Sequence, residues 1–343
     1  MKKKFDPNSA ATKDSGIFGL PFSINDAKLV LLPVPWEATT SYGGGTSKGP
    51  EAIFHASKQV DLYDGEMGNF YEAGIAMLPI SKQILKWNQE AKAAAKPIIK
   101  AGGDIGNNTK LKSALQKVNA LSVKVNDYVY EETKKYLDKG KIVGLIGGDH
   151  ASPLGAIKAY LEKYPDMGVL HFDAHIDMRV AYEGFKYSHA SIMYNLLEET
   201  EVKKLIQVGI RDFCEEEINV IRKHGDRVQT FFDQDIAELK LEGETWSEIC
   251  DDIIANLPDE VYISFDIDGF DPVLCPNTGT PVPGGLSFQE ALFIFKKILT
   301  AGKKIVGFDL NEVAPGPKGD EWNANVGARL LYKLCGRTLT SSS

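Results

Sequence analysis

Met167-Gly-Val-Leu-His-Phe-Asp-Ala-His-Ile-Asp177 is a short apolar run that ends in three side chains able to bind metal. The run 167–172 reads as a buried strand. An extended chain points alternate side chains the same way, so Asp173 and His175 share a face. Two other apolar runs end similarly: Lys141-Ile-Val-Gly-Leu-Ile146 leads into Gly147-Gly-Asp-His150, and Val261-Tyr-Ile-Ser-Phe265 into Asp266-Ile-Asp-Gly-Phe-Asp271. Asp266 and Asp268 again share a face. His150, Asp173, His175, Asp177, Asp266 and Asp268 together offer two imidazoles and four carboxylates, a full ligand set for two metal ions. They fall at the carboxyl ends of strands, where open α/β sheets build their sites. Carboxylate oxygen with a minority of imidazole and no thiolate suits Mn²⁺, with Fe²⁺, Co²⁺ or Ni²⁺ also compatible. Four carboxylates neutralise two divalent charges, and a bridging hydroxide would tip the cluster anionic, which favours a cationic substrate.

Further apolar runs at Leu29–Val34, Leu205–Val208, Val228–Phe232 and Ile305–Phe308 alternate with helical patterns. That alternation predicts a mainly parallel sheet covered by helices on both faces. Lys112 to Lys139 reads as one or two helices delivering the chain into the Ile142 strand, with Gly140 as a helix end. Gly43-Gly-Gly-Thr-Ser-Lys-Gly49 is glycine-rich but lacks the order of a phosphate-binding loop.

The chain has 343 residues, 43% hydrophobic and 25% charged, as in an ordinary globular protein. A net charge of -8 speaks against a nucleic-acid surface. Lys2 to Lys4 start no apolar run, so neither a signal peptide nor a membrane anchor is expected, and the lysines read as a solvated face. Cys214, Cys250, Cys275 and Cys335 show no paired spacing, which points to free thiols and the cytoplasm.

The three motifs resemble the signatures of the ureohydrolase family, the arginase, agmatinase and formimidoylglutamase group of binuclear manganese hydrolases. The likeness runs from about Lys28 to Lys333 and includes Asp271-Pro, Asn277-Thr-Gly-Thr-Pro-Val-Pro-Gly-Gly285 and Asp309-Leu-Asn-Glu-Val313. It implies a three-layer αβα fold around an eight-stranded sheet, formed by 1–343 as a single domain, and trimers or hexamers. Residues 1–25 would be an N-terminal extension and 338–343 a frayed tail. The segment 81–110 exceeds what the family usually carries there. It reads either as an insertion shaping an oligomer contact or the pocket rim, or, by preference, as a surface helix and turn.

By resemblance, one ion is held by His150, Asp173, Asp177 and Asp266, and the other by Asp173, His175, Asp266 and Asp268. Asp268 would also hold and pass a proton, His189 would be the shuttle histidine, and Glu312 would pair with the substrate guanidinium. The plain alternatives are a capping histidine and a structural ion pair. His171 is expected to be a buried supporting or core histidine, His55 and His224 ordinary surface residues, and Cys275 an apolar filler. Asp149 and Asp271 are expected to orient ligands through hydrogen bonds. Trp36 to Thr46 resembles the family's substrate-side loop.

The loop Met178-Arg-Val-Ala-Tyr-Glu-Gly-Phe-Lys-Tyr-Ser188 lacks the polar set of arginases and is similar to agmatinase-like members. Glu183 could attract a distal ammonium, as in agmatine. Arg179 or Lys186 could instead meet a carboxylate, as in guanidinobutyrate or formimidoylglutamate, although a structural salt bridge is the preferred reading of Arg179. Two rival classes are a noncatalytic metal- or guanidino-binding regulator and a single-zinc deacetylase-like amidohydrolase. Against the second stand His150 and Asp268.

Overall fold

The computed structural model describes residues 5–341, so the lysine run at 2–4 lies outside the described residues. The apolar runs form strands β1 (Leu29–Val34), β2 (Ile75–Met77), β3 (Ile142–Gly147), β4 (Gly168–Phe172), β5 (Leu205–Ile210), β6 (Val228–Phe232), β7 (Glu260–Asp266) and β8 (Lys304–Asn311). They pair in the order β2-β1-β3-β8-β7-β4-β5-β6, and every pairing is parallel. The helices are α1 (Gly49–Ala56), α2 (Lys82–Lys100), α3 (Thr109–Leu137), α4 (Leu154–Lys163), α5 (Ile192–Glu199), α6 (Glu215–His224), α7 (Asp233–Glu242), α8 (Trp246–Ala255), α9 (Phe288–Thr300) and α10 (Trp322–Ser341).

Alternation along each strand feeds two cores, one on each face of the sheet. In β1, Leu29 and Leu31 pack with Ile53 of α1, Ile294 of α9 and Leu330 of α10. Val30 and Leu32 pack with Val125 of α3, Ile157 of α4 and Leu196 of α5. The three-layer αβα architecture follows.

One expectation changes. The supposed tail continues α10 through Ser341, with Thr338 and Leu339 buried, while Ser342 and Ser343 lie outside the described residues. Leu334, Cys335 and Leu339 share one buried face, which outweighs the polar ending of the sequence. The N-terminal extension contributes Ile17, Phe18 and Leu20 to the core. No helix among the described residues is long and apolar enough to cross a membrane.

Strand order decides where a site forms. From β4 the chain moves outward to β5, and from β7 it moves the opposite way to β8, although β4 and β7 are neighbours. Such a reversal opens a crevice at the carboxyl ends of the two strands. Asp173 follows β4 directly and Asp266 ends β7.

Candidate metal centre and substrate cleft

His150, carried by the turn after β3, reaches into that crevice. Its Nδ1 lies 3.0 Å from Asp173 Oδ2, 3.4 Å from Asp177 Oδ2 and 3.2 Å from Asp266 Oδ2. His175 Nδ1 lies 3.2 Å from both Asp173 Oδ1 and Asp268 Oδ2. Donor atoms around a six-coordinate ion with bonds of about 2.1 Å sit about 3.0 Å apart, close to this spacing. Asp173, Asp177, Asp266 and Asp268 are all buried. Burial and neighbouring carboxylates push Asp177 and Asp266 well above the usual carboxylate range. Burial also acts to raise Asp173, but hydrogen bonds from His150, His171 and His175 hold it well below. A buried cluster this acidic needs compensating cations, and these residues fit a pair of divalent ions. Two donor groups emerge: His150, His171, Asp173 and Asp177, and Asp173, His175 and Asp268.

Beneath the donors lies a row of polar side chains in register across four strands: Gln207 on β5, His171 on β4, Ser264 on β7 and Asp309 on β8. Gln207 Nε2 donates to His171 Nδ1 at 3.0 Å, so His171 Nε2 carries the hydrogen donated to Asp173 Oδ2 at 2.9 Å. His171 thus orients a carboxylate, the supporting role expected of it. His150 Nε2 donates to Ser264 Oγ at 2.9 Å, and Ser264 Oγ donates to Asp309 Oδ1 at 2.9 Å. That chain holds the imidazole so that His150 Nδ1 points at the carboxylates. Burial pushes Asp309 up to about 6.

Asp149 and Asp271, expected to orient ligands, do not. Asp149 Oδ1 accepts from Ala151 N and Asp271 Oδ1 from Val273 N, so both carboxylates are used to turn the chain. The sequence reading missed Gln207 and Arg211. Arg211 donates to the carbonyls of Gly209, Asp268 and Phe270, pinning the turn that carries Asp268. A polar residue inside or just after an apolar run was the available signal.

The cleft above the donors is lined by Ser41, Tyr42, Arg179, Tyr182, His189, Asp212, Phe213, Glu217 and Glu312, among others. Glu312 follows β8 in the left-handed region at φ 62°, and Asp177 has φ 57°. Such strain in residues other than glycine gathers at functional sites. Glu312 Oε1 accepts from His150 N at 3.0 Å, while Oε2 is buried with no hydrogen-bond partner among the described residues. Burial, Asp266 and Asp149 push this carboxyl well above its usual range. His189 is pushed down to about 4, chiefly by burial, and its Nδ1 lies 3.4 Å from Thr39 Oγ1.

Glu183, one of the residues that could have met a distal ammonium, is absent from the cleft lining. It has φ 50°, and its backbone packs against Gly103. Lys186 turns to Tyr187 and Glu199. Arg179 does line the cleft, stacked 5.2 Å over Tyr182 and 3.9 Å from Glu217 Oε2. Cys275 is buried in the core, His55 is exposed, and His224 lies 3.3 Å from Glu198.

A donor cluster at the switch point of a parallel sheet, under a cleft bordered by a carboxylate with one oxygen left without a partner among the described residues, has the form of a metal-dependent hydrolase. Residues 27–336 match the model of the Arginase family, and the chain belongs to that family, a hydrolase of the ureohydrolase type. It is 32% identical to N(1)-aminopropylagmatine ureohydrolase of Synechocystis sp. over 92% of this chain and 90% of that protein. Agmatinase of Bacillus subtilis is 27% identical over 90% and 91% of the two chains. Among solved structures, proclavaminate amidino hydrolase from Streptomyces clavuligerus superposes with a TM-score of 0.72 at 22% identity, over 97% of this chain and 99% of that one.

Proposed function

We propose that this protein hydrolyses a C–N bond of a linear guanidino compound, releasing urea and an amine, with two manganese ions per chain. Agmatine, giving putrescine and urea, is the first candidate substrate. The observation that carries this reading is Glu312, which lines the cleft and whose buried Oε2 has no hydrogen-bond partner among the described residues. A guanidinium offers paired N–H donors and a positive charge, which together satisfy such an acceptor. The same cation would lower the cost of keeping Glu312 ionised.

His150, Asp173, Asp177 and Asp266 would hold one ion, and Asp173, His175, Asp266 and Asp268 the other. Such a pair, when bound, would supply Lewis-acid activation of water near neutral pH. Asp268 takes up the proton that water releases and passes it toward the departing nitrogen. His189, neutral at pH 7, exchanges protons through the ring nitrogen that does not face Thr39. Tyr182 packs edge-on to His189 with centroids 5.9 Å apart, which fixes the ring plane.

A longer substrate, N(1)-aminopropylagmatine, is the second reading. Sequence likeness to the Synechocystis enzyme supports it, as does the outer cleft. Asp212 offers a carboxylate 67% exposed, and Tyr42 and Phe213 are 73% and 42% exposed beside it. Carboxylate and aromatic faces suit a second ammonium.

The deciding experiment reconstitutes the protein with manganese, counts bound metal, and measures urea, ammonia and formamide released from agmatine, N(1)-aminopropylagmatine, arginine, guanidinobutyrate, guanidine and formimidoylglutamate. Urea from one or both agmatine compounds is expected. Formamide from formimidoylglutamate, or no product while two ions are bound, would overturn the proposal.

A further inference from the structure

The segment 81–110 has no counterpart in the metal chemistry, yet α2 grips the loop that forms one wall of the cleft. Asn88 and Lys92 stand four residues apart and so share a face of the helix. Asn88 Oδ1 accepts from Glu37 N at 2.8 Å, and Lys92 Nζ donates to Glu37 Oε1 at 2.6 Å. Glu37 is 2% exposed. Its Oε1 also accepts from Gly45 N at 2.9 Å, and its Oε2 from Ser47 N and Ser47 Oγ at 2.8 and 2.7 Å. The carboxylate therefore ties the beginning of the 37–47 loop to its end.

Between those ties the loop carries Thr39, which faces His189, and Ser41 and Tyr42, which line the cleft. Gly43, at φ 65°, lies so close to Gly279 that a Cβ would meet its carbonyl oxygen at 2.5 Å. Gly279 in turn borders Glu312 Oε2, 3.6 Å from where its own Cβ would stand. Displacement of the loop would thus reach the carboxylate assigned to the guanidinium.

We propose that Lys92, supported by Asn88, is a positioning residue for the substrate-side loop: through Glu37 it sets the placement of Ser41, Tyr42 and the Gly43–Gly279 contact, and thereby substrate affinity. The kinetic part rests on the guanidino-hydrolase reading; the structural part does not.

The test compares wild type, Lys92→Gln and Lys92→Arg, each loaded with manganese, by hydrogen–deuterium exchange and by kinetics on the substrate found active. Lys92 is about half exposed, so both variants are expected to fold. In Lys92→Gln, amide exchange over 37–47 should accelerate about tenfold, as loss of a charge-assisted hydrogen bond implies. Exchange in the β-strands should stay unchanged. KM should rise by a similar factor with kcat and metal content little altered, and Lys92→Arg should restore both. Unchanged exchange over 37–47, acceleration spread evenly through the sheet, or a loss confined to kcat would each overturn the proposal. If wild type turns over no guanidino compound, the functional reading fails separately and the exchange result still decides the role of Lys92.

Discussion

The floor and the wall of the cleft are built on opposite principles. The floor stands on strand ends: Asp173 after β4, Asp266 at the end of β7 and Glu312 after β8, underlain by the row Gln207, His171, Ser264 and Asp309. Sheet register fixes the strand-end positions, and buried Ser264 and His171 fix the directions of His150 and Asp173. The wall consists of two loops, 37–47 and 178–188, braced by the hairpin of α2 and α3. Phe185 of the second loop is buried with Ala95, Ile98 and Val118, and Lys186 N donates to Asn119 Oδ1 at 3.1 Å. The candidate metal chemistry rests on the sheet, while the walls that face a substrate rest on loops that packed helices hold in place.

If that division holds, substitutions in the floor act on metal and turnover. The largest effect is expected for Asp266→Asn. Removing one charge from the cluster should abolish bound metal, measured by elemental analysis, and lower kcat/KM by about a thousandfold or more, the scale of losing a preorganised electrostatic element. Full activity with two bound ions would remove Asp266 from the ligand set. Glu312→Gln should leave the metals in place and lower kcat/KM on the active substrate by about a hundredfold, because a charge-assisted pair becomes a neutral one. An unchanged kcat/KM would detach Glu312 from substrate binding. Ser264→Ala breaks the chain from His150 to Asp309, and titration calorimetry should show metal affinity falling by about tenfold to a hundredfold. Equal affinity would mean that the polar row is a packing device.

The floor was legible in the sequence because strand periodicity and ligand spacing are both local. Strands β1 and β3 to β8 each carry enough apolar residues to show themselves, whereas Ile75-Ala-Met77 is too short to display any period. What failed was inference from nearness along the chain. Glu183 is close to the second motif, yet its turn directs it to the α2–α3 connection. Glu217 is far from the motif, and as the capping-box residue of α6 it lines the cleft with its Oε1 accepting from Met178 N at 3.0 Å. Asp149 and Asp271 sit inside the motifs, yet the hydrogen bonds their carboxylates accept are those of turns. The polar row was written in the sequence as single polar residues within apolar strands, but which of them meet depends on register, a property of strand pairs rather than of any one segment.

His189 tests the boundary between floor and wall, since it belongs to neither the sheet nor the hairpin, and its expected effect is the smallest. Its imidazole is pushed down to about 4 from the ordinary value of 6.5, with burial the first cause and the charges of His175 and His150 contributing. Above pH 6.5 both folded and unfolded forms are neutral at this residue, so it adds no pH dependence. Between 6.5 and about 4 the unfolded chain binds a proton that the folded chain refuses. Stability therefore falls as pH drops through that window. His189→Asn removes the refusal, so the difference in denaturant midpoint between pH 7 and pH 5 should be smaller in the variant. Acid loss from the carboxylate cluster is common to both proteins and cancels in the comparison. A wild-type imidazole that titrates near 6.5 by NMR, or identical midpoint shifts in the two proteins, would show that the cleft around His189 is wet. A proton shuttle through this residue would then have to work as an ordinary solvated histidine rather than as a neutral base held in reserve.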